Sequence, residues 1–474
     1  MKSNRLAPLL KDTAIYGLSS IVGRFLNYLL VPLYTHVLPK DDGGYGVSTN
    51  IYAYTALVLV VLTFGMETTL FRFANNREDK PETVFSTAFA VVGTLTLVFL
   101  ALLTLCLGPI ASALGYAAHP EYLMMMGVVV ALDALQALPF CYLRYQKRAL
   151  RFASLKLLFI VFNIGLNCLF FLWLGKTEVY YIFFLNLLCT GAITFFFVPD
   201  LVRMHWHLDT ALLRRMLRYS WPILVLGIAG ILNQTADKIL FPLVYPDRAE
   251  ADVLLGIYGA CVKIAMIMAM ITQAFRYAYE PIVFSKSADR DSKAYYASAM
   301  RWFLLFTLFA FLGVMAYIDV LKILIGDYDE GLRVVPIVMV AEIMMGIYFN
   351  LSFWYKLIDK TIWGAWFSLA GCAVLVAVNV LFIPRYGYMA CAWGGVAGYG
   401  TAMVLSYVVG QRKNPIPYPV GRMALYVGLT AALYGVMLVP IASLPWRLVV
   451  NTLLVGVFAL FILYEMKNTK KHSI

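Results

Sequence analysis

Nine charged residues fall within stretches that are otherwise apolar: the bases Arg24, Lys238, Lys263 and Arg276, and the acids Glu67, Asp133, Asp237, Glu280 and Glu342. A charge at bilayer depth is costly unless it faces protein or water, so such residues mark routes for polar cargo or relays for protons and cations. Guanidinium and ammonium groups there suit an anionic group, above all a phosphate. Carboxyl groups that cannot snorkel to an interface, such as Asp133 and Glu342, are candidates to take up a proton or hold a cation. Asp237 and Glu280 are further ion-coupling candidates. No residue is nominated as catalytic: the one tempting acidic pair, Asp41-Asp42, sits in a Gly-rich loop of a few residues.

The elements that must carry these charges are membrane helices. Apolar residues make up 62% of the 474 and charged ones only 14%, far from the balance of a soluble domain. A membrane-sized window finds about fourteen spans. They run approximately 13–38, 46–72, 83–107, 121–142, 153–174, 179–199, 219–244, 254–281, 300–325, 333–357, 362–383, 388–410, 422–442 and 446–465. Twenty-seven Lys and Arg lie on the side of the N-terminus, seven on the opposite side and four within spans, accounting for all 38. By the positive-inside rule both termini are cytoplasmic. The net charge of +12 is therefore read as topology and attraction to anionic lipid, with no nucleic-acid partner. Six tryptophans (Trp206, Trp221, Trp302, Trp354, Trp363, Trp366) fall near the inner interface and three (Trp173, Trp393, Trp446) nearer the outer one, as an aromatic belt requires.

Span 1 carries a polar stripe. Tyr16, Ser20, Arg24, Asn27 and Tyr34 lie within about 80° of one another at helical spacing, and Arg24 sits about 17 Å from the cytoplasmic end. One reading is an arginine tied to a carboxylate of a neighbouring helix. The preferred one is a water-filled cavity, because a single ion pair would not need Ser20 and Asn27. Asp237 and Lys263 share a depth, about 10 Å and about 13 Å from the outer side, and are expected to pair across adjacent helices with Lys238 turned to another face. Gln273, Arg276, Tyr277 and Glu280 form one face of span 8. Glu67 and Arg72 are read as interfacial. The seven cysteines lie at or inside spans with no CxxC pair, and the five histidines offer no ligand set, so neither a disulfide framework nor a metal site is expected.

The two halves repeat. Leu30–Tyr34 ends span 1 as Leu240–Val244 ends span 7; Asp133 and Glu342 occupy spans 4 and 10, and Asn167 and Asn379 occupy spans 5 and 11. A duplicated six-helix unit with both copies in the same orientation follows, as in parallel-repeat transporters. The expected organisation is an N-terminal lobe at 1–200, a linker at 201–218, a C-terminal lobe at 219–410, and an appended helix pair with a cytoplasmic tail at 411–474. Gly394 and Gly398 form a small-xxx-small pair suited to close helix packing.

These residues resemble the polysaccharide transporter family, the Wzx-type flippases of O-antigen and capsule, in the superfamily that also holds multidrug exporters and the lipid II flippase. The likeness is carried by Pro32-Leu33-Tyr34 through Gly44-Tyr45-Gly46, by Gly65-Met66-Glu67-Thr68 with Phe71-Arg72-Phe73, by Asp237-Lys238, Gly256-Ile257-Tyr258 and Lys263, and by Asn379, Ile383-Pro384-Arg385-Tyr386-Gly387 and Ala390. The resemblance implies an all-α integral membrane fold with two pseudo-symmetric six-helix lobes in a V, plus two C-terminal helices, in the bacterial inner membrane. It implies transport of an undecaprenyl-diphosphate-linked oligosaccharide by alternating access, without catalysis and without a cofactor beyond a coupling Na+ or H+, alongside polymerase machinery. Arg24, Asn27, Lys238, Lys263 and Arg276 are the substrate-binding candidates on that reading. Two alternatives stay open: a drug or organic-cation exporter on the same fold, and an integral-membrane glycosyltransferase or ligase using the same lipid-linked sugar.

Overall fold

The computed structural model describes residues 28–76, 78–204, 206–285, 292–358, 360 and 362–471. Arg24 and Asn27, with the polar stripe of span 1 up to that point, lie outside the described residues. Among the described residues every regular element is helical: α1 Leu30–Val37, α2 Gly44–Thr63, α3 Met66–Ala74, α4 Pro81–Leu105, α5 Leu107–Ala113, α6 Pro120–Tyr145, α7 Ala149–Cys168, α8 Tyr180–Phe195, α9 Val198–Val202, α10 Thr210–Val244, α11 Arg248–Ser285, α12 Ser292–Ala316, α13 Ile318–Leu321, α14 Val334–Leu351, α15 Phe353–Leu357, α16 Ile362–Tyr386, α17 Tyr388–Lys413, α18 Val420–Met437 and α19 Leu444–Lys471. A π-helical turn, Leu169–Trp173, prolongs α7, and a 3-10 segment, Lys322–Gly331, follows α13.

Among the described residues eleven helical stretches are long and apolar enough to cross a bilayer, making this a multi-pass membrane protein. Of the other three expected spans, the first falls largely outside the described residues, the sixth is the 16-residue α8, and the twelfth is the glycine-rich α17.

Local chemistry sets the helix ends. Pro81 and Pro120 occupy the first turns of α4 and α6, where a missing N–H costs nothing. The Asp209 carboxylate accepts from the N–H groups of Ala211 (2.8 Å) and Leu212 (3.0 Å) and caps α10. Those bonds, that from Leu212 foremost, hold the Asp209 carboxyl below its ordinary range. The second span is interrupted where Phe64 (φ 49°) and Gly65 (φ 67°) both take left-handed backbone, which separates α2 from α3. Leucine-rich faces close around α6, in a core of Leu62, Met66, Leu70, Val84, Phe85, Val130, Leu138 and Met216. Leu138 is wholly shielded.

Packing divides the chain into two compact units, Met1–Gly256 and Ile257–Ile474. This partition differs from the expected lobe boundary at 201–218. In the first unit α10 packs on α2 and α3, through a buried Thr69–Ser220 hydroxyl pair at 2.6 Å and a bond from Asn50 Nδ2 to the Lys238 carbonyl at 2.7 Å. In the second unit α16 lies against α17 at the expected glycines: a Cβ on Gly398 would meet Leu375 Cβ at 2.8 Å and the Gly371 carbonyl at 2.9 Å. The appended α18 and α19 both pack on α12. Arg447 pairs with Asp319 at 2.9 Å, Asn451 donates to the Ala316 carbonyl at 3.2 Å, and Tyr426 donates to Glu465 at 2.7 Å.

Candidate functional site

In the first unit, polar side chains of α1, α2, α6, α7 and α8 bond to one another. Tyr34 donates to Asn167 Oδ1 at 2.8 Å, and Asn167 donates to Asn163 at 2.7 and 3.0 Å. Asn186 donates to the Tyr52 hydroxyl at 2.7 Å and accepts from Thr190 at 3.2 Å. Gln136 donates to the Thr190 carbonyl at 2.9 Å and to Thr194 Oγ1 at 2.6 Å. Asp133, half-buried on α6, interacts electrostatically with Lys156 of α7 and with Tyr52. The Lys156 ammonium rests 4.0 Å over the Phe140 ring, a cation–π contact. One to three turns along α6, Arg144 lies 3.8 Å from Glu67 and 3.0 Å from Cys141, whose thiol donates to Glu67 at 3.4 Å. Helical periodicity explains the assembly: Asp133, Gln136, Cys141 and Arg144 fall within about 140° on α6.

The structure corrects one expectation for the cations. Lys238 is not turned to another face: its ammonium sits 3.0 Å from both Asp237 oxygens and 3.1 Å from the Gln234 carbonyl. Lys263 is half-buried on α11 and Arg276 is exposed on the same helix. Thirteen residues apart, they stand about 20 Å from each other along the axis and about 140° around it, too far apart to touch one small group together. Glu342 is half-buried on α14. Glu280 lies on α11, but its side chain is outside the described residues.

In the second unit Arg276 forms one wall of a small cleft of about 10 Å3 with Thr272, Tyr279, Phe349, Asn350 and Lys356. That volume suits about one water. The Arg276 guanidinium lies 4.7 Å from the Phe349 ring centre and the Lys356 ammonium 5.1 Å from that of Phe353. Buried Thr272 aims a hydroxyl that has no hydrogen-bond partner among the described residues. The arrangement presents two cations on aromatic faces beside a cleft that has room for no more than about one water.

At the end of the first unit expected to face outward, glycines bring backbones together. A Cβ on Gly46 would lie 1.8 Å from the Asp252 carbonyl oxygen, and one on Gly43 3.0 Å from Asp252 Cβ. Arg248 pairs with Asp252 at 3.4 Å and stacks 4.9 Å over Tyr116. Tyr116 donates to Asn50 Oδ1 at 2.7 Å, and Asn50 is fully shielded. Burial, with the Asp252 charge second, pushes the Tyr116 phenol up. Gly43 and Gly46 therefore let the start of α2 touch the first turns of α11.

The sequence profile of the family described as polysaccharide biosynthesis protein matches residues 9–287. The chain belongs to that family. This family member shares its fold with the lipid II flippase MurJ in an inward closed conformation, at 13% identity, TM-score 0.75, over 95% of this chain and 99% of that one. A multidrug resistance MATE transporter of the MOP superfamily matches in its inward-facing conformation at 13% identity, TM-score 0.64, over 86% and 96%. An outward-facing MATE structure matches at 13% identity, TM-score 0.59, over 88% and 96%. No protein among those of curated function matches by sequence.

Two functional candidates escaped sequence reasoning. Lys156 is the fourth residue of its expected span and Lys356 the last but one of its own, so both were counted with flanking basic loops. Their signal was the aromatic partner one helix or one turn away, Phe140 for Lys156 and Phe353 for Lys356.

Proposed function

We propose that the protein is a flippase that carries an undecaprenyl-diphosphate-linked oligosaccharide across the bacterial inner membrane by alternating access, with both termini cytoplasmic. The observation that carries this reading is a polysaccharide biosynthesis family match on a chain with a flippase and exporter fold, with Lys156, Arg276 and Lys356 resting on aromatic rings. A diphosphate needs cations to cross a low-dielectric core. Arg24 with Asn27 takes the diphosphate near mid-membrane, and Lys263 and Arg276 receive it in turn from the outer and inner halves, Lys356 adding to Arg276. Lys238 contributes only when the cargo competes with Asp237 for it.

The glycan passes through a hydrated cavity while the polyprenyl tail stays in lipid, and a polymerase accepts the product. The chemistry is translocation, with no bond made or broken. Proton or Na+ binding at Asp133, with Glu342, Asp237 and Glu280 as further candidates, biases one orientation. Asp133 is the strongest of these because Lys156 and Tyr52 interact with it electrostatically.

The test is a complementation strain lacking its own flippase. Arg24→Ala and Arg276→Ala/Lys356→Ala each abolish surface polysaccharide at unchanged protein level; normal surface glycan in both overturns the assignment. The shared fold with MATE transporters and the Asp133 carboxyl favour a second reading, export of organic cations. It predicts changed drug susceptibility on deletion with intact surface glycan.

A further inference from the structure

A cavity outside the site described above opens at the opposite end of the first unit from Tyr116. It has a volume of about 220 Å3 and lies between the start of α4, the end of α6, the start of α7 and α9. That is many times the ~10–15 Å3 that one water requires. Phe85, Tyr142 and Phe197 form its apolar floor, and Arg148, Arg151 and Arg203 stand at its rim with Glu82 and Asp200. Arg151 is committed to Asp200 through a two-pronged pair, 3.0 Å from one guanidinium nitrogen and 2.5 Å from the other. Among the described residues neither Arg148 nor Arg203 has an ion pair, and both are exposed. The rim thus carries two uncommitted guanidinium groups against one carboxylate, Glu82.

The surroundings say what kind of anion would fill it. Leu150 on α7, Phe195 at the end of α8 and Val202 on α9 flank the rim in sequence and are 78%, 73% and 76% exposed. In a multi-pass membrane protein such surface meets acyl chains. A ligand with its charge in the cavity and its chains along this apolar surface satisfies both halves, whereas a free anion satisfies only the first. Basic pockets between membrane helices recognise anionic headgroups in this way, and guanidinium groups match phosphate oxygens by geometry as well as charge.

We propose that this cavity is a binding site for the phosphate of an anionic phospholipid, phosphatidylglycerol or cardiolipin, with Arg148 and Arg203 as its ligands. The site needs only a bilayer and does not depend on the transport reading.

The experiment uses the full-length protein, purified in detergent, with native mass spectrometry and thermal unfolding as readouts. Phosphatidylglycerol, cardiolipin, phosphatidylcholine and inorganic phosphate are titrated separately. The two anionic lipids are expected to be retained and to raise the unfolding temperature, while phosphatidylcholine and inorganic phosphate do neither. Arg148→Gln/Arg203→Gln weakens anionic-lipid retention about ten-fold or more, the loss of charge-assisted bonds, and Arg148→Lys/Arg203→Lys restores most of it, which separates binding from misfolding. Equal retention of phosphatidylcholine, or unchanged retention in the Gln variant, overturns the site. Equal stabilisation by inorganic phosphate overturns the lipid as its source.

Discussion

Gly46→Ala is the substitution whose cost can be worked most directly from the structure. The added Cβ would stand 1.8 Å from the Asp252 carbonyl oxygen and 2.8 Å from the Gly256 nitrogen. Both are backbone atoms, so no rotamer change relieves the clash, and α2 must part from α11 by ~1.2 Å or more to restore a tolerable contact of about 3.0 Å. Forcing a methyl into a tight contact costs about 1–3 kcal/mol, which lowers the population of arrangements that keep this contact by roughly 5- to 150-fold. The neighbour is a built-in control: a Cβ on Gly44 meets only Val179, at 3.6 Å, an ordinary contact. Spin labels at Asp42→Cys and Glu250→Cys, both exposed, report the gap by pulsed EPR once the native cysteines are replaced. Gly46→Ala should move weight from the short to the long distance, and Gly44→Ala should leave the distribution alone. If the two variants give the same distance profile and the same unfolding temperature, the reasoning about this contact is wrong.

Tyr116→Phe leaves the fully shielded Asn50 Oδ1 without its 2.7 Å donor. It should destabilise the protein by about 1–3 kcal/mol, seen as a lower unfolding temperature. Gly398→Ala drives a methyl against Leu375 and the Gly371 carbonyl and should cost about as much, whereas Gly428→Ala, with open space around its position, should be near neutral in the same melt. Asp133→Asn should abolish surface polysaccharide or remove its dependence on pH and Na+ in a complementation strain, and wild-type behaviour would exclude Asp133 from coupling. Asp209 has a folded pKa below its ordinary value, so its cap stabilises α10 above the carboxylate range and that contribution fades as pH falls through the folded value. Asp209→Asn should flatten this acid-side loss in thermal unfolding followed across pH.

Much of the helical frame was legible in the sequence because bilayer-length apolar runs have one stable solution. Gly394 and Gly398 were legible for the same kind of reason: small residues one turn apart have few uses other than close packing. Which side chains pair with which was not. Nothing local distinguishes Lys238 held by Asp237 from Lys238 turned away, since adjacent residues on a helix point about 100° apart and only a long, flexible side chain closes the gap. Lys156 and Lys356 were hidden by their nearness to span ends, where a snorkelling lysine has the same sequence signature as one packed on an aromatic ring. The role of Gly46 required knowing that α11 begins against it, a relation across more than 200 positions of chain.

The left-handed pair Phe64–Gly65 divides the second span into two segments with separate axes. Thr69 on α3 is bonded to Ser220, and Glu67 there is tied to Arg144, while α2 carries Gly46 against α11. A rigid rod would transmit any tilt at one tip to the other and strain those attachments. With the break between them, each segment keeps its own partners, α3 with Ser220 and Arg144 and α2 with the Asp252 backbone, so neither set of contacts dictates the tilt of the other segment.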